Sequence, residues 1–151
     1  MLSTSGKIMH KVNAGCHCGN IGVELELAHA PGNYSPRTCD CEFCKKHGAA
    51  YVSDPRGTLD VTVEDEQACT TYRQGSALAD FLICKRCGVL VGVFYRDEDR
   101  IYAALNASIV GMQARFGAAS PGAPKKLTDI EKVARWKALW FSEVRIAGAD
   151  G

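Results

Sequence analysis

Arg37-Thr38-Cys39-Asp40-Cys41-Glu42-Phe43-Cys44-Lys45-Lys46 sets three thiols within six positions, with cations on both flanks. Thiols that close together are read first as a metal site. Working outward, two further cysteine groups appear, Cys16-His17-Cys18-Gly19 and Cys84-Lys85-Arg86-Cys87-Gly88, while Cys69 stands alone. In zinc knuckles, two thiolates two or three residues apart hold one ion, and a following glycine allows a turn that points backbone N–H groups at sulfur. The first and third groups have that glycine.

A structural zinc site closes with four ligands, whereas a catalytic one keeps three protein ligands and an open position. The count divides naturally into two plus two, and three. Cys16, Cys18, Cys84 and Cys87 would then close one site, leaving Cys39, Cys41 and Cys44 as a three-thiolate site. Spacing alone leaves open that the triplet shares ligands with either pair. A fourth ligand from His47, Asp40 or Cys69 would turn the triplet into an inert site; His17 and His47 rank low as ligands, and Cys69 reads most simply as a small core residue. Disulfides are disfavoured by the strain of bridging neighbours as close as Cys16 and Cys18 and by a start, MLSTSGKIMHKV, that has no apolar leader segment. A thioredoxin-type pair would need a βαβ context that is lacking here.

The expected class is therefore a soluble, cytoplasmic protein, and no apolar run approaches the roughly 20 residues of a membrane helix. With 151 residues, 46% of them apolar, the whole chain 1–151 reads as a single domain. A formal net charge of +1 gives no bulk attraction to nucleic acid or an anionic membrane. Seven thiolates would remove seven charges and two zinc ions return four, taking that +1 to −2. Arg37, Lys45, Lys46, Lys85 and Arg86 lie where they offset this charge and favour thiolates.

The strand signals surround these groups. In Ile21–Leu27, apolar Ile21, Val23, Leu25 and Leu27 alternate with Gly22, Glu24 and Glu26, the period of a half-buried strand. Further strands are expected at Lys7 to Ala14, Tyr51 to Ser53, Thr58 to Val63, Ala68 to Arg73, Leu78 to Ile83, Val89 to Tyr95, Arg100 to Ala107 and Val144 to Ile146. Short strands joined by turn residues favour antiparallel sheets. FGAASPGAPKK, from Phe116 to Lys126, reads as a loop or lid without regular structure. Thr128-Asp129-Ile130-Glu131 has the capping-box form and opens one C-terminal helix over 128–140, with Ile130, Val133, Ala134, Lys137 and Phe141 near helical spacing. Trp136 and Trp140 read as anchors of that helix on the sheet.

GCHCGNIGVELEL, CDCEFCKKHGAAY and FLICKRCGVLVGV, in that order, resemble the glutathione-dependent formaldehyde-activating enzyme family, which includes centromere protein V; the motifs run over about 15–93. The resemblance implies a mainly β protein, a zinc-containing β-tent fold of antiparallel sheets. It implies structural zinc ligands at Cys16, Cys18, Cys84 and Cys87 and active-site ligands, catalytic in role, at Cys39, Cys41 and Cys44, so two zinc ions per chain. It also implies a carbon-sulfur lyase with glutathione as co-substrate, acting on a small-molecule thiol/aldehyde adduct. Glu42-Phe43 departs from the small or polar residues common there, which implies a different pocket shape. Arg37, Lys45, Lys46 and Arg73 are the candidate cations for glutathione carboxylates. The alternative is a non-catalytic zinc-stabilised binding module, a glutathione carrier or protein-interaction domain.

Overall fold

A computed structural model describes residues 9–73, 77–110, 115–122 and 127–148. The alternation that marked Ile21–Leu27 is realised as strand β2, preceded by β1 (His10–Gly15): Ile21, Leu25 and Leu27 are fully buried while Glu24 is exposed. β1 and β2 pair antiparallel, and β2 pairs antiparallel with β5 (Thr58–Val63). β11 (Glu143–Gly148) joins the far side of β5 in parallel, completing a four-stranded sheet. The sequence reading placed a short strand there and favoured antiparallel pairing. The last strand instead runs parallel to β5.

The remaining strands are β3 (Arg37–Thr38), β4 (Ala50–Val52), β6 (Cys69–Tyr72), β7 (Asp80–Cys84), β8 (Leu90–Asp97), β9 (Arg100–Asn106) and β10 (Ser120–Pro121). They form a seven-stranded sheet in the order β10-β3-β4-β9-β8-β7-β6, antiparallel except for the β10–β3 pair. The fold is thus mainly β, as expected, with mixed sheets. The Phe116–Lys126 stretch is not wholly irregular. Ser120 and Gly122 donate their N–H groups to Pro36 and Thr38 carbonyls at 2.8 Å, pinning it to the edge of β3, while positions 123–126 lie outside the described residues.

Two apolar layers result. Between the sheets, Leu25, Leu59, Val91, Leu105 and Phe141 pack together. On the outer face of the larger sheet, Cys44, Tyr51, Phe81, Val93, Ala104 and Trp140 form a second layer. β8 and β9 therefore contribute to both layers, which is why Leu90-Val91 and Ala103-Ala104-Leu105 are apolar in succession instead of alternating. Within the first layer, Phe141 and Ala103 exchange backbone hydrogen bonds of 2.9 and 3.1 Å.

That outer face carries both helices. α1 (Glu42–His47) was not anticipated from the sequence; it is short, and its N-cap is a sulfur, that of Cys41. α2 (Asp129–Leu139) begins with the expected capping box: Glu131 N–H donates to Thr128 Oγ1 at 3.2 Å and Thr128 N–H to Glu131 Oε1 at 2.8 Å. Ile130, one of the residues near helical spacing, is 84% exposed. The helix is held by its aromatic end, with Trp140 buried and Trp136 half-buried. Among the described residues, no helix is long and apolar enough to cross a membrane.

Candidate functional site

The seven grouped cysteines are free thiols gathered in two places. Cys16 and Cys18 come from the β1–β2 turn, Cys84 from the end of β7 and Cys87 from the β7–β8 turn. The ligand atoms of this quartet lie within 4.8 Å of one another, with Cys16 and Cys18 Sγ atoms 3.8 Å apart and Cys18 and Cys84 Sγ atoms 3.6 Å apart. Zinc–sulfur bonds of about 2.3 Å in a tetrahedron require sulfurs about 3.8 Å apart. The quartet fits that shape. Gly19 and Gly88 have φ of +87° and +76°, which suits residues lacking Cβ, and Ile21 N–H points at Cys16 Sγ at 3.3 Å. Burial raises the Cys87 pKa, but N–H groups of Cys18 and Val89 together with neighbouring thiols bring it down to about 6. At Cys18 the Asn20 N–H acts to lower the pKa, and desolvation with the thiols of Cys84, Cys16 and Cys87 overcomes it, giving about 11.

The triplet is built differently, from one local stretch. Cys39 follows β3, Cys41 caps α1, and Cys44 sits in its first turn, where its N–H donates to Cys41 Sγ at 3.4 Å. Cys39 and Cys41 sulfurs are also 3.4 Å apart, and all three ligand atoms lie within 4.8 Å of each other. The donor set is thus compact enough for a single thiophilic ion. A hydrogen bond with Cys44 pulls the Cys39 pKa down to about 6, whereas the Cys44 thiol is driven up chiefly by the same contact and by burial. Buried Tyr51 sets its hydroxyl 3.2 Å from Cys44 Sγ. Desolvation, then the charge of Cys44, raises the Tyr51 pKa and keeps the hydroxyl neutral. Among the described residues, neither His47 nor Cys69 joins a cysteine group. The His47 ring lies 4.7 Å from that of Phe43, and Cys69, half-buried on β6, pairs in register with Cys84.

The triplet borders a cavity of about 410 Å³. Phe81, Val93 and Ala104 from the large sheet, with Ala79 just before β7, form an apolar wall. Trp136 and Trp140, stacked with ring centres 4.8 Å apart, form another wall, so the tryptophans expected to be anchors also line the site. Lys132, Arg135 and Trp136 reach it from α2 at the i, i+3, i+4 spacing that places side chains on one helix face. That spacing was present in the sequence and was overlooked. Arg37 completes the polar side, donating to Ser53 Oγ at 2.7 Å, and Ser53 Oγ donates in turn to the Leu139 carbonyl at 2.8 Å. Desolvation, followed by the positive charge of Arg135, lowers the Arg37 pKa.

Of the other cations expected near the triplet, Lys45 and Lys46 are exposed on α1, and Arg73 is paired with Asp80 at 2.6 Å. Arg86, beside the quartet, pairs with Asp65 at 2.8 Å. Glu42 lines the cavity, and Phe43 turns to Phe81 and Tyr72 with ring centres 4.8 and 5.0 Å away.

No curated protein matches the chain. Among solved structures, a Rhodobacter sphaeroides protein determined by crystallography is similar at 25% identity, over 66% of this chain and 87% of that one, with a TM-score of 0.48. The family description "glutathione-dependent formaldehyde-activating enzyme" matches residues 11–120. With most of its length covered, from β1 to β10, the chain belongs to the glutathione-dependent formaldehyde-activating enzyme family.

Proposed function

We propose that the protein is a zinc-dependent carbon-sulfur lyase acting on a glutathione–aldehyde adduct at Cys39, Cys41 and Cys44, with a structural zinc on Cys16, Cys18, Cys84 and Cys87. One observation carries the reading: the three-thiol group opens on a cavity of about 410 Å³, and none of the four-thiol group is among the residues lining it. Family membership supports glutathione and an aldehyde as the reacting pair. Eight free cysteines suit a reducing compartment such as the cytoplasm.

Zinc at three thiolates supplies a Lewis-acidic position that lowers the pKa of a thiol or polarises an aldehyde oxygen. The chain's own residues do the rest. Tyr51 fixes the Cys44 sulfur by its hydrogen bond, the aromatic walls keep bulk water from the reacting atoms, and the α2 cations and Arg37 draw in an anionic thiol. In adduct formation the thiol sulfur bonds to the carbonyl carbon, the C=O π pair moves to oxygen, and the thiol proton ends on that oxygen. Cleavage reverses each movement.

The test is exchange NMR of glutathione and formaldehyde with zinc-loaded protein. Exchange accelerated by wild type and returned to the buffer rate by Cys41→Ser supports the lyase. A wild-type rate equal to buffer overturns it in favour of a binding module.

A further inference from the structure

The cavity is far larger than formaldehyde and is sorted by chemistry. Its lining brings together the cysteine triplet, an apolar set of Phe81, Val93, Ala79, Ala104 and the tryptophan pair, and the three cations Arg37, Lys132 and Arg135. Gly122 sits where a Cβ would meet the Thr38 carbonyl at 2.9 Å and the Arg135 guanidinium at 3.8 Å, which brings this edge of the cavity close to both arginines. Among the described residues, no carboxylate forms an ion pair with any of those three cations, and Glu42 is the one acid on the wall. Arg37 and Arg135 are close enough to repel one another, and Arg37 is anchored by the neutral Ser53 hydroxyl. Two guanidinium groups lacking a carboxylate, at the edge of an apolar cavity, are complementary to a planar carboxylate. The stacked indoles are complementary to a flat apolar body.

We infer that the cavity binds an aromatic carboxylate, its anionic end between Arg37 and Arg135, its ring against Trp136 and Trp140, and its reactive end at the cysteine triplet. This deepens the lyase reading by naming the organic group presented to the triplet, and rests on that reading only for what happens to the reactive end. The carboxylate has two possible sources, the thiol partner or the aldehyde; both present the same chemistry to the arginines.

The experiment uses the chain's two tryptophans, both in the cavity wall, as the reporter. Zinc-loaded protein is titrated by fluorescence with 4-(mercaptomethyl)benzoate, phenylmethanethiol, 3-mercaptopropionate and glutathione, and separately with 4-formylbenzoate and benzaldehyde. The aromatic thiol carboxylate should bind about tenfold or more tighter than either truncated thiol. Arg135→Gln should remove that advantage while leaving phenylmethanethiol unchanged. A preference for 4-formylbenzoate over benzaldehyde when glutathione is present assigns the carboxylate to the aldehyde, and no such preference assigns it to the thiol. Equal binding of all the thiols, or Arg135→Gln without effect on the carboxylate advantage, overturns the proposal. Because the readout is binding, accelerated formaldehyde exchange with no aromatic selectivity sinks this inference alone, and selective binding without exchange sinks the lyase reading alone.

Discussion

The sulfurs of Cys18 and Cys84 lie 3.6 Å apart although 66 residues separate them along the chain. One belongs to the turn of the four-stranded sheet and the other to the end of a strand in the seven-stranded sheet, so an ion here would clamp the sheets together. Since metal binding of this kind contributes folding free energy directly, Cys87→Ser should unfold the domain or lower its melting temperature sharply. Cys41→Ser, whose thiol is held within one local stretch, should stay folded and lose one of two zinc ions. Metal analysis paired with thermal melts checks both; a single zinc in wild type would contradict the two-site assignment.

Asp54 offers a pH test away from the cysteines. It is 3% exposed and accepts hydrogen bonds from Tyr34 Oη at 2.6 Å and the N–H groups of Ala28 and Arg56 at 2.9 Å. Burial acts to raise its pKa, but these bonds and the Arg56 charge more than reverse it, leaving it below the ordinary value. A depressed folded pKa gives stability that is present above the unfolded value of about 4 and lost as pH falls through the folded one. Tyr34→Phe should therefore cost about 1–3 kcal/mol at pH 7, with the deficit shrinking below about pH 4. Urea melts across that range measure it.

Tyr51 should tune the triplet. Outer hydrogen bonds to ligating groups typically affect metal affinity by about 10–100-fold. Tyr51→Phe removes the 3.2 Å contact to Cys44 with little change of volume. The expected outcome is weaker metal retention at the triplet, read by chelator competition, with the quartet's ion retained.

The Ile21–Leu27 strand and the cysteine groups were legible because their signals are local: an alternation along seven residues and thiols a few positions apart. α1 was hidden because Cys41 takes the N-cap role usually filled by Ser, Thr, Asp or Asn. β3 and β10 are two-residue strands whose pairing joins Arg37 to Ser120, and no periodicity exists over so short a span. Ile130 shows the limit of helical spacing as a guide to burial: it lies on the turn that protrudes before the aromatic end docks. The cavity's cationic side was missed for a related reason. Lys132 and Arg135 carry no local signal of a site; only the fold brings Arg37, nearly a hundred residues earlier, to the same cavity wall.

That arrangement makes the start of α2 matter for binding. No described residue from Asp129 to Leu139 is fully buried, so the helix relies on its cap and its Trp136–Trp140 end. Thr128→Ala removes the capping hydroxyl at a cost of about 1 kcal/mol. The fraying falls on the first turns, which carry Lys132 and border Arg135, and leaves the tryptophans docked on Phe81 and Val93's layer. Thr128→Ala should thus weaken an anionic cavity ligand several-fold while the tryptophan emission of the free protein is unchanged. Amide exchange should rise at Lys132 and not at Trp140; uniform exchange along the helix would mean that the cap stabilises the whole element instead of its cavity-facing start.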